Sequence, residues 1–136
     1  MIVLDSSFLV AFHNRNDVHH DAAAEVMDQL LAGRWGQALL LEYVFLEVVT
    51  VLLVRRGHDV ASRVGTLLLD APEIDFVPCS DFFLDTLEAF NAQPGGRLSF
   101  ADAAIVTAAR RLNAEGVATF DRDFAGLDGI QVIPQQ

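Results

Sequence analysis

Lysine is absent from this chain of 136 residues, and all nine basic side chains are arginine. Nineteen acidic residues oppose them, which gives a formal net charge of -10 at pH 7. Because neutralisation of phosphates supplies most of the affinity for nucleic acid, this balance argues against a general nucleic-acid binder. Any contact with nucleic acid should be local and bridged by a metal ion. A GC-rich genome and adaptation to a salty cytoplasm both remain open as explanations of the missing lysines.

Cysteine and uninterrupted apolar runs are also scarce. Cys79 is the only cysteine, so no disulfide is expected, and a buried, unreactive thiol is its simplest interpretation. The most apolar stretch, residues 38–54, contains Glu42 and Glu47, and a central acid costs roughly 3 kcal/mol on membrane-insertion scales. The N-terminus has no secretory pattern. We therefore expect a cytoplasmic protein without a membrane segment.

Several well-known catalytic motifs are missing. The chain has no Gly-x-x-x-x-Gly-Lys loop, no Gly-x-Ser-x-Gly elbow and no His-Glu-x-x-His helix. An apolar strand ending in Asp5 is also found in phosphoaspartate hydrolases and response-regulator receivers, but both are expected to use a lysine. These absences exclude the commonest nucleotide-binding, acyl-transfer and zinc-protease chemistries.

Length and hydropathy indicate one domain that associates with another protein. A chain of 136 residues is long enough for one core and too short for two ordinary domains, so we expect a single domain over residues 1–136. Hydrophobic residues make up 52% of the chain and the mean hydropathy is +0.34. Surplus apolar surface favours a homodimer, formed through the helices between residues 20 and 70.

Strand-like and helix-like segments alternate along the sequence. Strands are predicted at residues 2–4, 38–41, 74–77, 117–119 and 130–133. Helices are predicted at residues 6–12, 20–32, 42–56 and 59–69, with two more that begin at Ser80 and Ser99. Strands separated by helices predict an α/β fold, with a central, mainly parallel five-stranded sheet in a three-layer α/β/α arrangement.

Four acids occupy positions that this pattern brings together. Asp5 and Asp121 follow strands, whereas Glu47 and Asp102 lie within apolar helical stripes. Side chains just beyond the carboxyl ends of parallel strands face one crevice. Carboxylates gathered there repel one another and are usually stabilised by a hard divalent cation. The pattern therefore predicts a site for Mg²⁺ or Mn²⁺.

Each acid also has an ordinary structural explanation. Asp5 could cap the following helix, and Asp102 fits a capping box with Ser99. Asp121 and Asp123 could be turn residues. We nevertheless expect Asp102 to face inward, because it shares a stripe with apolar residues. Tyr43 and Thr50 beside Glu47 could form a weakly polar edge that reaches water, but burial is the favoured interpretation, because this glutamate shares a stripe with valines 44, 51 and 54.

Adjacent histidines near a helix start are poor chelators, because neighbouring side chains on a helix point in different directions. His19 and His20 are therefore interpreted as surface or capping residues.

Four segments together resemble the PIN domains, and within them the VapC-like toxin ribonucleases. Residues 2–7 (IVLDSS) match the family's opening strand, aspartate and hydroxyl residues, and residues 43–52 (YVFLEVVTVL) match its apolar helix with one glutamate. Residues 99–103 (SFADA) and 118–124 (ATFDRDF) look like the third and fourth acidic motifs. The resemblance spans nearly the whole chain.

The resemblance implies a PIN-like fold and metal-dependent hydrolysis of RNA by the toxin of a toxin-antitoxin pair. It therefore implies Mg²⁺ or Mn²⁺, an RNA substrate and an antitoxin partner. The serious alternative is a non-catalytic PIN-like module that only dimerises or binds a partner.

The resemblance also implies roles for individual residues. Asp5 and Asp102 would be the principal ligands, and Glu47 and Asp121 would bind through water or a second metal. The remaining suggestions concern four nearby side chains. Asp123 is a reserve ligand, Ser7 and Thr119 would orient the water or a ligand, and Arg122 would either contact phosphate or remain a solvated surface residue.

Overall fold

The computed structural model describes residues 1–135 and contains a five-stranded sheet. Its strands are β1 (Ile2–Leu4), β2 (Ala38–Leu41), β3 (Ile74–Val77), β4 (Gly116–Ala118) and β5 (Val132–Ile133). They lie in the order β3-β2-β1-β4-β5, and every neighbouring pair is parallel. The predicted sheet is confirmed, with the fifth strand shorter than expected.

Six α-helices connect the strands. They are α1 (Ser6–His13), α2 (His20–Leu31), α3 (Glu42–Arg56), α4 (His58–Asp70), α5 (Phe83–Ala92) and α6 (Phe100–Arg111). The predicted helices are confirmed within one or two residues at most boundaries. The largest difference precedes α5, where a short 3-10 turn occupies Ser80–Phe82.

The strand order places helices on both faces of the sheet. The chain moves from β1 through β2 to β3 in one direction, then returns past β1 to β4. Because crossovers between parallel strands are right-handed, opposite directions put the connecting helices on opposite faces. Accordingly α1 contacts α2 and α3, and α3 contacts α4, whereas α5 packs with α6. This confirms the three-layer α/β/α fold.

The central strands form the middle of the core. Every residue of β1, β2 and β4 is buried, whereas the edge strand β3 is partly exposed. A strand covered on both faces requires an unbroken apolar run, which residues 2–4 and 38–41 supply. Gly116 allows β5 to approach β4, since a Cβ there would lie 2.6 Å from the carbonyl oxygen of Gln131. This close pairing fixes the strand that leads into Thr119.

Several large apolar side chains remain exposed on the helices. Those with at least half of their surface accessible include Leu46 and Val54 on α3, Leu67 on α4 and Leu84 on α5. Within residues 1–135, no helix combines the length and the apolar composition needed to cross a membrane.

Candidate active site

The strand order creates a crevice at the carboxyl ends of β1 and β4. The crossovers that leave these adjacent strands run in opposite directions, so their connecting segments separate at this point. A cleft of about 490 Å³ opens there. The four predicted acids all line it, together with one acid that was not predicted: Asp5, Glu47, Asp102, Asp121 and Asp17.

Asp5 is the most buried acid of the cleft, with 4% of its surface exposed. It occupies the N-cap position of α1 but makes no side-chain capping hydrogen bond, so capping does not explain it. Loss of solvation raises the pKa of Asp5, and the negative charge of Glu47 raises that pKa further. Hydrogen bonds from Thr119, Ser7 and the Ser6 backbone oppose the rise.

Two hydroxyl groups hold the Asp5 carboxylate in place. Ser7 Oγ and Thr119 Oγ1 both donate to Asp5 Oδ2, each at 2.7 Å. The hydroxyls in turn accept backbone N–H groups, Ser7 from Phe120 and Thr119 from Asp121, each at 2.9 Å. This network links the start of α1 to the segment after β4, and it fixes the orientation of the Asp5 carboxylate.

Asp102 both caps a helix and lines the cleft, two roles that the sequence offered as alternatives. Its backbone N–H donates to Ser99 Oγ at 3.0 Å, and its Oδ2 accepts the Ser99 N–H at 3.1 Å, which completes a capping box on α6. The same half-buried side chain lines the cleft. Loss of solvation raises the pKa of Asp102, and the charges of Asp5 and Asp121 add to that rise. The inward orientation was therefore predicted correctly.

The expected burial of Glu47 is wrong. Its side chain is exposed where it lines the cleft, and the buried stripe of α3 consists of Val44, Val48 and Leu52. Consecutive helical residues differ by about 100° around the axis, so a one-residue error in choosing the stripe changes which side chains face the core. Val54, assigned to the same stripe as Glu47, is 80% exposed.

The three polar residues after β4, residues 121–123, differ in burial and in whether they line the cleft. Asp121 is half-buried and lines the cleft, and its Oδ1 accepts the Asp123 backbone N–H at 2.9 Å. The Asp123 side chain is half-buried, whereas Arg122 is exposed. Neither Asp123 nor Arg122 is among the residues that line the cleft. The geometry thus brings Asp121 to the other acids without bringing its two neighbours.

Arg55, His19 and Phe120 also line the cleft and were not predicted as part of the site. Arg55 follows Glu47 and Val51 at intervals of four on α3, and it is the only arginine among the residues that line the cleft. That spacing was a usable signal for Arg55 once Glu47 was assigned to the site. His19 and Phe120 meet only in the folded chain, where their rings stack. No local pattern could have paired them.

The histidine assignments are partly correct. His19 is exposed, as expected of a surface residue, and makes no side-chain capping hydrogen bond. His20 is half-buried instead, and its Nδ1 lies 2.9 Å from the carbonyl oxygen of Ala11. Cys79 is buried and unpaired with another cysteine, as predicted, and burial raises the pKa of its thiol.

The donor chemistry of the cleft suits a hard cation. Every acid contributes oxygen, the ligand type that Mg²⁺ and Mn²⁺ prefer. Among residues 1–135, however, no three His, Cys, Asp or Glu side chains are grouped closely enough to hold one ion directly. The acids instead act at longer range, since the charges of Asp5 and Asp121 both raise the pKa of Asp102. An ion that keeps several of its own water molecules fits such a spacing, and Mg²⁺ usually does so.

Known proteins provide an independent comparison. The structure resembles the Mycobacterium tuberculosis VapC20 toxin, which cleaves the sarcin-ricin loop, with 24% identity and a TM-score of 0.79 over 92% of this chain and 93% of that one. It also resembles a chain of a toxin-antitoxin complex from Klebsiella pneumoniae, with 17% identity and a TM-score of 0.69 over 96% of both chains. Because both identities are low, the likeness shows a shared fold and no more than that.

No curated protein has a significant match to this chain. The family model of the PIN domain matches residues 2–130. Because that match includes every strand but β5, all six helices and all the acids of the cleft, the chain belongs to the PIN domain family.

Proposed function

We propose that residues 1–136 form one PIN domain that acts as a cytoplasmic, metal-dependent endoribonuclease, the toxin of a toxin-antitoxin pair. One observation carries the catalytic part of the proposal, which is that Asp5, Glu47, Asp102 and Asp121 all line one cleft. The fold shared with VapC20, a toxin that cleaves the sarcin-ricin loop, favours RNA as the substrate. The fold shared with a chain of a toxin-antitoxin complex favours an antitoxin as partner.

Asp5 and Asp102 would hold the metal ion directly, and Glu47 and Asp121 through water or as ligands of a second ion. Asp123 remains a reserve ligand that would have to turn towards the cleft. A bound Mg²⁺ or Mn²⁺ would acidify a water molecule and neutralise charge on the phosphoryl oxygens. The donor set does not distinguish between these two ions.

The remaining residues keep the acids in place. Ser7 and Thr119 both donate to Asp5 Oδ2, which fixes the orientation of this carboxylate at the cleft. Thr119 also accepts the backbone N–H of Asp121, which couples the positions of two acids on neighbouring segments. The capping box prevents Asp102 from rotating freely on α6. A rigid arrangement of this kind lowers the cost of ordering the site when substrate binds.

Incubation with RNA tests the proposed activity. Purified, antitoxin-free protein should hydrolyse structured or single-stranded RNA with Mg²⁺ or Mn²⁺, and EDTA should stop the reaction. Each product pair should carry one new phosphate and one new hydroxyl, because water is added across a phosphodiester bond. If no RNA is cut with either ion, the non-catalytic module that dimerises or binds a partner becomes the better explanation.

Arg55 is expected to contact a phosphate of the RNA. It is the only arginine among five acids in the cleft, so Arg55→Gln should raise KM about threefold to fivefold, the effect of losing about 1 kcal/mol from an exposed ion pair. It should also reduce the salt dependence of binding by about one unit of slope. Steady-state kinetics at several KCl concentrations measure both effects.

Arg63→Gln is the matched control for Arg55, because Arg63 is an exposed arginine on α4 and does not line the cleft. Equal kinetics for the two variants would remove Arg55 from the substrate-binding surface.

We also propose a homodimer, formed through the helices between residues 20 and 70. The exposed apolar side chains of α3 and α4 favour it, and Val54 is 80% exposed. Val54→Glu should convert the dimer to monomer in light scattering at micromolar concentration, because a charge cannot be buried cheaply in an apolar interface. Leu84→Glu, which changes a 75% exposed residue of α5, should leave the dimer intact. Wild-type protein that is monomeric at both low and high salt would contradict the proposal.

A further inference from the structure

We propose that the stacked rings of His19 and Phe120 form a platform for an unpaired nucleobase of the RNA, beside the carboxylates of the cleft. This inference rests on the proposed ribonuclease function and adds a binding role for two residues that hold no metal. In this arrangement one face of the His19 ring contacts the base, and Phe120 packs against the opposite face of the His19 ring.

The geometry of the two rings is that of a stacking surface. Their centroids lie 4.4 Å apart and their planes differ by 6°, so one face of the His19 ring is covered by Phe120. His19 is nevertheless exposed, and both residues line the cleft that contains the acids. Phe120 stacks in turn near Phe8, which is fully buried, with 6.4 Å between centroids. The rings of Phe8, Phe120 and His19 therefore form a row that extends from the core to the edge of the cleft.

Hydrogen bonds hold the backbone of both platform residues in the absence of a ligand. The backbone N–H of Phe120 donates to Ser7 Oγ at 2.9 Å, in the same network that holds Asp5. On the other side, the backbone N–H of His19 donates to Asp17 Oδ1 at 2.8 Å. Because both backbones are held, a base that stacks on His19 does not have to order the rings first.

The charge of the cleft favours this mode of binding. Five carboxylates and one arginine line the cleft, so phosphate neutralisation by side chains can supply little affinity. Stacking on an aromatic ring does not depend on charge, and every nucleobase offers a flat face for it. An acidic PIN domain can thus hold RNA by its bases close to the position where its carboxylates and a metal ion act on the phosphate.

The first experiment compares three variants in steady-state cleavage of a short RNA. His19→Ala should raise KM about tenfold with little change in kcat, within the range for losing an aromatic platform under one base. His19→Trp keeps a flat ring and should stay close to the wild type. His58→Ala is the control, because His58 is an exposed histidine on α4 outside the cleft. Equal KM values for His19→Ala and His58→Ala would overturn the platform.

The second experiment does not require cleavage. RNAs carrying 2-aminopurine at successive unpaired positions are mixed with the Asp121→Asn protein, which should cut slowly, and fluorescence is recorded. Stacking should quench one position, His19→Ala should abolish the quenching, and His19→Trp should retain it. Absence of quenching at every position overturns the platform, whatever the KM values. If wild-type protein cuts no RNA but the quenching depends on His19, the ribonuclease proposal fails while the base-binding site stands.

Discussion

Asp5→Asn is expected to lower the rate of RNA cleavage by at least about a hundredfold, since even residues that only orient a metal ligand commonly contribute 10- to 100-fold. Asparagine keeps the size of aspartate and can still hydrogen bond with the Ser7 and Thr119 hydroxyls that surround it. It lacks the negative charge that a metal ligand supplies. The loss should therefore appear in kcat/KM without a loss of folded structure, as measured by single-turnover kinetics and circular dichroism.

A matched control separates the site from the general effect of removing an acid. Asp70→Asn removes the same charge from an exposed position at the end of α4, and its cleavage rate should equal that of the wild type. If Asp5→Asn cleaves RNA as fast as Asp70→Asn, Asp5 is not part of the catalytic site. Purification of both variants by the same procedure excludes a contaminating nuclease as the source of activity.

The second large effect is a crossing of stabilities between wild type and Asp5→Asn. Without metal the variant should melt higher, because burial of the Asp5 charge, with a smaller contribution from the charge of Glu47, destabilises the fold and the amide removes that charge. Mn²⁺ at a hundredfold excess over Kd should stabilise the wild type by about 2.7 kcal/mol, or about 10 °C in Tm for a chain of this size. The variant should gain much less. Melting curves in EDTA and in Mn²⁺ measure the crossing.

The pH dependence of this difference follows from the direction of the pKa shift. Burial raises the pKa of Asp5 in the folded state, so the folded protein retains a proton that the unfolded chain releases. Stability contributed by protonated Asp5 is present below the ordinary aspartate pKa and is lost as pH rises through the raised pKa. In EDTA the advantage of Asp5→Asn should therefore grow with pH over that window. Metal should reverse the trend, because it binds the ionised carboxylate.

Equal changes in the melting temperature of wild type and Asp5→Asn on addition of Mn²⁺ would count against the metal site. If wild type and Asp5→Asn shift equally when EDTA is replaced by Mn²⁺, the ion binds elsewhere or not at all. If their difference in EDTA does not change with pH, the Asp5 carboxylate is not destabilised by burial. The first result would leave the cluster of acids without its proposed role in metal binding, and the second would remove only the destabilising effect of burying Asp5.

Local sequence patterns determined the elements of this fold. The unbroken apolar runs of β1 and β2 predict strands covered on both faces, and both strands are fully buried. The Ser99-x-x-Asp102 pattern predicts a helix start, and the capping box on α6 confirms it. Alternation of strands and helices was sufficient for a parallel sheet, because right-handed crossovers leave few alternatives. The positions of Asp5 and Asp121 just after strands then placed both near one crevice.

Tertiary packing decided the features that depend on how the elements meet. Glu47 is exposed because the rotation of α3 about its axis depends on α1 and α4, which a stripe of valines in one helix does not reveal. Asp5 is held by Thr119 across 114 positions of sequence, and that bond distinguishes a fixed carboxylate from a helix cap. His19 and Phe120 stack only because α2 begins near the end of β4 in space. The sequence by itself determined the strands, the helices and their parallel, three-layer arrangement. The strand order that brings the acids together and the orientation of each side chain in the cleft were decided by contacts between distant segments, because local periodicity carries no information about them.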